Sequence, residues 1–284
     1  MIVVTGATGH LGRLVIERLL EKLPPSEIAA LARDLDRAKD LAARGITIHQ
    51  ANYSQPESLA SIFKPGDKVL LISSSEVGQR IPQHKAVIDA AKSAGASLLA
   101  YTSLLHADTT PLALSPEHKA TEEYLLASGI PYVLLRNGWY FENHTASLGA
   151  ALAHGVILGA AGDGRFAAAA RADYAAAAAT VLTNPGHENK IYELGGDAPY
   201  TLAELAAEVS RQSGKQVVYQ NLSEAEYAKA LTGFGLPAPL AEILADADAW
   251  AAKGELDDTS HDLSTLISRQ TAPLSEAVKS ALAS

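Results

Sequence analysis

The chain of 284 residues contains no cysteine, which removes disulfides, thiolate nucleophiles and cysteine-held zinc or iron–sulfur sites from consideration. Charged residues make up only 19%, and the balance is acidic, with a formal net charge of −9. A surface of that sign repels nucleic acid and anionic lipid, so neither is expected as a partner. An anionic ligand therefore needs a local positive site. No apolar run reaches the ~18 residues of a membrane span. No H-E-x-x-H pattern and no dense group of histidines and carboxylates occurs, so no metal is expected. The first strand pattern begins at the second residue, leaving no space for a leader, and the cytoplasm is the expected compartment.

What is present is apolar substance and rhythm. Hydrophobic residues make up 48% of the chain, enough for a large core. Short β-branched runs at 2–6, 28–33, 46–50, 68–73, 98–103 and 132–136 read as strands. Helical patterns near 11–22, 36–43, 56–63, 80–94 and 115–128 fall between them. Near-continuous apolar strands alternating with helices predict strands buried on both faces and right-handed crossovers. The expected fold class is α/β, with a doubly wound parallel Rossmann-type sheet and a smaller, mainly helical C-terminal part. The nucleotide-binding domain is placed at 1–137, with a contribution from about 171–195. The region 138–284 forms a discontinuous, substrate-side part. There the alanine-rich stretch RADYAAAAATVL predicts a helix packed closely on the sheet, and Thr201 with Glu204 predicts a capping box.

The opening stretch MIVVTGATGHLGRLVIERLL carries Gly6, Gly9 and Gly12 between a strand and a helix. Such a turn aims backbone N–H groups at one point, and glycine removes the Cβ that would hold a pyrophosphate away. The spacing is G-x-x-G-x-x-G rather than G-x-G-x-x-G, and a purely structural βα turn is the alternative. In this context the loop predicts a dinucleotide, held by Gly6, Ala7, Thr8, Gly9, His10 and Leu11. At the end of the second strand, in LARDLDR, Arg33 stands where an NAD-binding site places a carboxylate. Its guanidinium suits a ribose 2′-phosphate, with Arg37 assisting and Asp34 turned away or capping, which favours NADP(H) over NAD. A solvated surface arginine is the plain alternative.

Other candidates lie at the carboxyl ends of later strands, where open α/β sheets bind ligands. Ser73, Ser74 and Ser75 offer hydroxyls to ribose or nicotinamide, or merely make a polar turn. Asn137 and Gly138 precede three adjacent aromatics, Trp139, Tyr140 and Phe141, then Asn143. The aromatics suit the wall of a flat apolar substrate, or a hydrophobic plug. Arg171 reaches a phosphate or pairs with Asp173.

Lysine is missing from the position four residues after each of the ten tyrosines. The Tyr/Lys relay that protonates an alkoxide is therefore absent, and ordinary ketones are poor candidate substrates. A quinone needs less protonic help, because its reduction yields a delocalised phenolate. His118 and Lys119 are residual acid candidates, although an exposed helix face with a Lys119–Glu123 pair is the plainer account of them. His106 is ambiguous in the same way.

The motifs TGATGHLG, LLISSSEVGQRIPQH, AYTSLLHADTTPL, LLRNGWYFEN and GAAGDG…ARADYAAAAA, in that order, resemble the NmrA-like branch of atypical short-chain dehydrogenases. Within that branch the resemblance is to the bacterial NAD(P)H:quinone oxidoreductases of type two, and it runs from the first strand to at least YQNLSEAEYA. It implies an NADPH-dependent enzyme that reduces quinones without flavin. It also implies cofactor contacts at Gly6 to Leu11, Arg33, Ser73 to Ser75, Asn137 to Glu142 (with Gly138 to Phe141 between) and Arg171. Tyr140 and Asn143 would then form the quinone pocket, and His118 joins them as a catalytic candidate. A homodimer is the candidate assembly. The rival reading is a redox sensor: NmrA-like proteins without the Tyr/Lys pair bind the dinucleotide and report its state to a partner protein.

Overall fold

A computed structural model describes residues 1–283. From the N-terminus the elements are β1 (Ile2–Val4), α1 (His10–Leu20), β2 (Ile28–Ala32), α2 (Lys39–Ala43), β3 (Thr47–Gln50), β4 (Lys68–Leu71), α3 (Arg80–Ala94), β5 (Leu98–Leu104), α4 (Ser115–Ser128) and β6 (Tyr132–Asn137). The chain continues through α5 (Phe141–Thr145), α6 (Leu148–His154), β7 (Val156–Gly159), α7 (Arg171–Thr183), β8 (Lys190–Leu194) and α8 (Leu202–Ser213). It ends with β9 (Val218–Asn221), α9 (Glu224–Gly233), α10 (Ala238–Ala251), α11 (Asp262–Ile267) and α12 (Leu274–Leu282).

Seven strands form one sheet in the order β3-β2-β1-β4-β5-β6-β8. The pairs from β3 through β6 are parallel, with Ile2 opposite both Ile28 and Lys68 in register. This is the expected doubly wound, Rossmann-type sheet. The order reverses between β1 and β4, so the loops leaving those two strands diverge and open a crevice at their carboxyl ends. Every residue of β2 and β5 is buried, because helices cover both faces.

Two compact units divide the chain. The first holds residues 1–107, 116–137 and 171–192. Its core gathers Val3, Leu31, Val69, Leu71, Leu99, Tyr101 and Leu134 of the sheet against Val87, Ile88 and Leu125 of α3 and α4. The alanine-rich helix α7 packs on α1, with Ala175, Ala177, Ala178 and Ala179 all buried. Small side chains permit that close approach; the expected packing on the sheet is the lesser part, at β4, β5 and β6, and the main neighbour is α1.

The second unit holds residues 108–115, 138–170 and 193–284. Its small sheet pairs β7 with β9 in parallel. Thr201 and Glu204 close the expected capping box on α8, and Ser223 with Glu226 closes a second one on α9. Gly196 has no space for a side chain, since a Cβ there would lie 2.1 Å from the Ala168 carbonyl oxygen.

Two expectations are corrected. The stretch 56–63 is not a helix, because only a single 3₁₀ turn at Pro56–Ser58 forms, followed by non-helical turns. The stretch HGVILGAAGDGR at 154–165, whose glycines read from the sequence as turns, contains strand β7. Among the described residues no helix is long and apolar enough to cross a membrane.

Candidate active site

The glycine loop connects β1 to α1 in the first unit. Gly6 takes a positive φ of 58°, which lets the chain reverse directly after the strand. Gly9 is the N-cap of α1, with no side chain to bond the first turn and no acidic residue within that turn. Gly12 is held against the loop itself: an added Cβ would stand 2.4 Å from the Gly6 carbonyl oxygen and 2.8 Å from the Ala7 Cα. The close approach that Gly12 permits is thus to the loop backbone rather than to the sheet.

The loop's amides are not all bare. The Ala7 amide donates to the Leu31 carbonyl at 3.3 Å and the Gly9 amide to the Gly6 carbonyl at 3.0 Å. These bonds fix the loop's shape. The amides of His10, Leu11 and Gly12, in the first turn of α1, have no intrahelical acceptor, and they carry the helix's partial positive charge. Three backbone donors without an opposing carboxylate suit a diphosphate.

Arg33, just past β2, is 62% exposed at its side chain and pairs with Glu76. Glu76 in turn accepts from Gln83 Nε2 at 2.7 Å. Arg37 donates to the Thr8 carbonyl at 3.5 Å, so a second guanidinium borders the glycine loop. Asp34 accepts from the Asp36 amide at 2.9 Å and closes its own turn, without capping the helical segments that follow. Arg37 thus stands beside the loop, while Arg33 is held by Glu76.

The serine stretch after β4 is held from behind. The Ser73 amide donates to Thr102 Oγ1 at 2.9 Å. The Ser74 amide donates to His84 Nε2 at 2.9 Å, and its carbonyl accepts from Arg80 Nε at 2.7 Å. Ser73 and Ser74 are half-buried and Ser75 is exposed. Burial pushes His84 down to about 3, helped by the neighbouring Arg80 charge, so its ring stays neutral and can accept.

Helix α4 turns His118 and Glu122 toward the sheet, four residues apart. His118 is buried and its Nδ1 lies 2.8 Å from the Tyr101 hydroxyl. Burial, then the Arg80 and His84 charges, hold His118 well below the usual histidine range. Glu122 accepts two bonds from Arg136, at 3.0 and 2.7 Å, and one from Ser103 Oγ at 2.5 Å. This corrects the exposed-face account of His118: only Lys119 of that pair is on the surface. The sequence signal was available in the i, i+4 spacing of His118 and Glu122. Both are held in internal bonds and shielded from solvent.

In the second unit, Gly138 donates to the Leu194 carbonyl, and residues 139–141 run alongside Ala169. Trp139 and Phe141 are buried, and Phe141 stacks on Tyr200 with ring centroids 5.5 Å apart. The aromatic triplet is therefore not a continuous wall. Of the three, Tyr140 alone is half-exposed, together with Glu142, Asn143 and His144 on α5. His144 Nδ1 lies 2.6 Å from the Tyr200 hydroxyl, which anchors α5. Asn137 is buried at the end of β6, and Arg171 opens α7, half-buried. Among the described residues no group of three or more histidines and carboxylates is arranged to hold a metal.

Comparison with known proteins now bears on this geometry. The model of the NmrA-like family matches residues 1–279. The chain belongs to the NmrA-like family. It is 59% identical to quinone oxidoreductase 2 of Escherichia coli (strain K12), over 98% of this chain and 97% of that one. The crystal structure of the NADPH-dependent quinone oxidoreductase of Escherichia coli complexed with NADPH superposes with a TM-score of 0.97 at 58% identity, covering 99% of this chain and all of the other. The triphenylmethane reductase of Citrobacter sp., complexed with NADP(H), gives a TM-score of 0.94 at 41% identity, over 99% of this chain and 100% of that one.

Proposed function

We propose that this chain is an NADPH-dependent quinone oxidoreductase that works without flavin. The observation that carries the reading is the backbone cradle of Gly6 to Gly12, where a single Cβ at Gly12 would collide with Gly6 and Ala7. The 59% identical relative is named for quinone reduction, and the structure of its kind holds NADPH.

The amides of His10, Leu11 and Gly12 hold the diphosphate. Arg33 leaves Glu76 to bond the 2′-phosphate with its planar fork, and Arg37 adds charge beside Thr8. Ser73 to Ser75 and Asn137 orient the nicotinamide half, while Tyr140 and Asn143 contact the quinone. Bound in this way, NADPH supplies a hydride. Because His118 and Glu122 are locked into internal bonds, neither delivers a proton to a nascent alkoxide. The acceptor must therefore tolerate a negative oxygen, and a quinone does so by delocalisation.

Loss of the NADPH absorbance on adding 1,4-benzoquinone to purified protein is the direct assay. Its visible spectrum should carry no flavin bands while turnover proceeds. Protein that binds NADPH yet turns over no quinone would refute the activity.

A further inference from the structure

The serine stretch after β4 has no helix or sheet to fix it, yet it is gripped at two backbone atoms by buried side chains of α3. His84 is fully buried and takes the Ser74 amide; Arg80, 8% exposed, takes the Ser74 carbonyl. The first of these grips depends on where one proton sits. An imidazole nitrogen accepts only when it is bare, so Nε2 must carry no hydrogen and the ring's proton must sit on Nδ1. The structure supplies the reason it sits there. His84 Nδ1 lies 3.0 Å from Thr121 Oγ1, and the Thr121 hydroxyl donates to the Glu117 carbonyl at 2.8 Å. Thr121 has one hydroxyl hydrogen, and that hydrogen is already committed to Glu117. Its oxygen can then only accept from His84, which directs the ring proton to Nδ1.

The polarity of the chain is thus set end to end: Ser74 N–H to His84 Nε2, His84 Nδ1–H to Thr121 Oγ1, and Thr121 O–H to the Glu117 carbonyl. Helix α4 is itself fastened to the start of α3, since the Glu117 carboxylate accepts from the Gly78 and Arg80 amides at 3.1 and 3.2 Å. The Tyr101 ring meets the His84 ring edge-on at 5.3 Å and limits its rotation.

We propose that Thr121 is a positioning residue for cofactor binding: it selects the His84 tautomer that holds the Ser73–Ser75 loop in its binding conformation. Thr121 is 2% exposed and sits on α4, behind the loop it controls. The inference rests on the reading that this loop contacts NADPH.

The Thr121→Val variant tests it, because valine keeps the volume and the branching and removes the hydroxyl, both the acceptor for His84 and the donor to the Glu117 carbonyl. In the free protein, ¹⁵N NMR of the wild type should show a protonated Nδ1 and a bare Nε2 at His84. The variant should populate the other tautomer, with faster hydrogen exchange at the Ser74 amide. NADPH affinity should fall by about tenfold, the size of one lost hydrogen bond, with kcat at saturating NADPH changed far less. His84→Ala should weaken NADPH similarly, and adding Thr121→Val to it should have no further effect. His84→Gln, whose amide oxygen reaches the Nε2 position, should restore binding and make it insensitive to Thr121→Val. A wild-type His84 protonated at Nε2, or an unchanged tautomer and NADPH affinity in Thr121→Val, would overturn the inference. Failure of the wild type to bind NADPH, with the tautomer as stated, would instead strike the cofactor reading and the role in binding drawn from it.

Discussion

Asp248 offers the most quantitative test of the second unit. It lies on α10, 3% exposed, and accepts a single bond from the Ala160 amide at 2.8 Å. The titratable groups that sense its charge are the phenols of Tyr200 in the loop before α8, Tyr219 of β9 and Tyr227 of α9. Burial raises its carboxyl from the ordinary 3.8 to about 7, against the pull of the Ala160 amide. A carboxyl whose folded value is raised binds its proton more tightly in the native state, so stability falls as pH rises. The contribution is whole below the unfolded value of 3.8 and is gone above about 7. At about 1.4 kcal/mol for each tenfold, the total is on the order of 4 kcal/mol, of which roughly 2.5 falls between pH 5 and pH 8. Asp248→Asn keeps the acceptor oxygen and removes the titration. Urea unfolding of both proteins at pH 5 and pH 8 measures the difference, and comparing the two proteins cancels the other titrating groups. The variant should gain about 2.5 kcal/mol relative to the wild type on going from pH 5 to pH 8. If the gap between the two proteins moves by less than about 0.5 kcal/mol, the carboxyl is not held neutral by burial and the reasoning fails.

Three further outcomes follow from the first unit. Arg33→Ala should weaken NADPH by about 1.5–3 kcal/mol and NADH far less, read by calorimetry; equal losses would show that Arg33 does not bond the 2′-phosphate. Gly12→Ala should cost stability by about 1–3 kcal/mol through overpacking against Gly6 and Ala7, and should weaken NADPH as the loop shifts, seen together in melting and binding curves. Glu122→Ala should destabilise the unit by about 3–5 kcal/mol in urea, because Arg136 is left buried without its carboxylate; a loss under 1 kcal/mol would mean water reaches that site.

Much of the sheet was legible because its signal is local. The run IAALA is apolar throughout and LLAYTSL opens with LLA before its Tyr, Thr and Ser, and both lack the polar alternation of a strand with one face in water. The glycine loop and the Thr201 box were legible for the same reason: short spacings dictate both. What escaped is what depends on partners distant in sequence. Strand β7 is four residues long and is stabilised by pairing with β9, sixty residues later. The stretch 56–63 has helical spacing, but it forms only a single 3₁₀ turn at Pro56–Ser58. At the site, the type of each residue was readable and its orientation was not. His118 and His84 look alike on paper, as polar residues on helices of weak amphipathicity. Only the fold shows that both point inward, one to Tyr101 and one to Ser74.

The placement of α7 against α1 has a consequence for biosynthesis. The helix that covers the first-made helix is encoded some 150 residues later, after the chain has left the first unit at Asn137 and re-entered it at Arg171. On the ribosome, buried residues of α1 such as Leu11, Val15 and Leu19 must wait for α7 while most of the first unit and only part of the other are translated. Shortened polypeptides that stop at the end of β6 should accordingly emerge sticky and clump, whereas those reaching past Leu194 should remain dispersed.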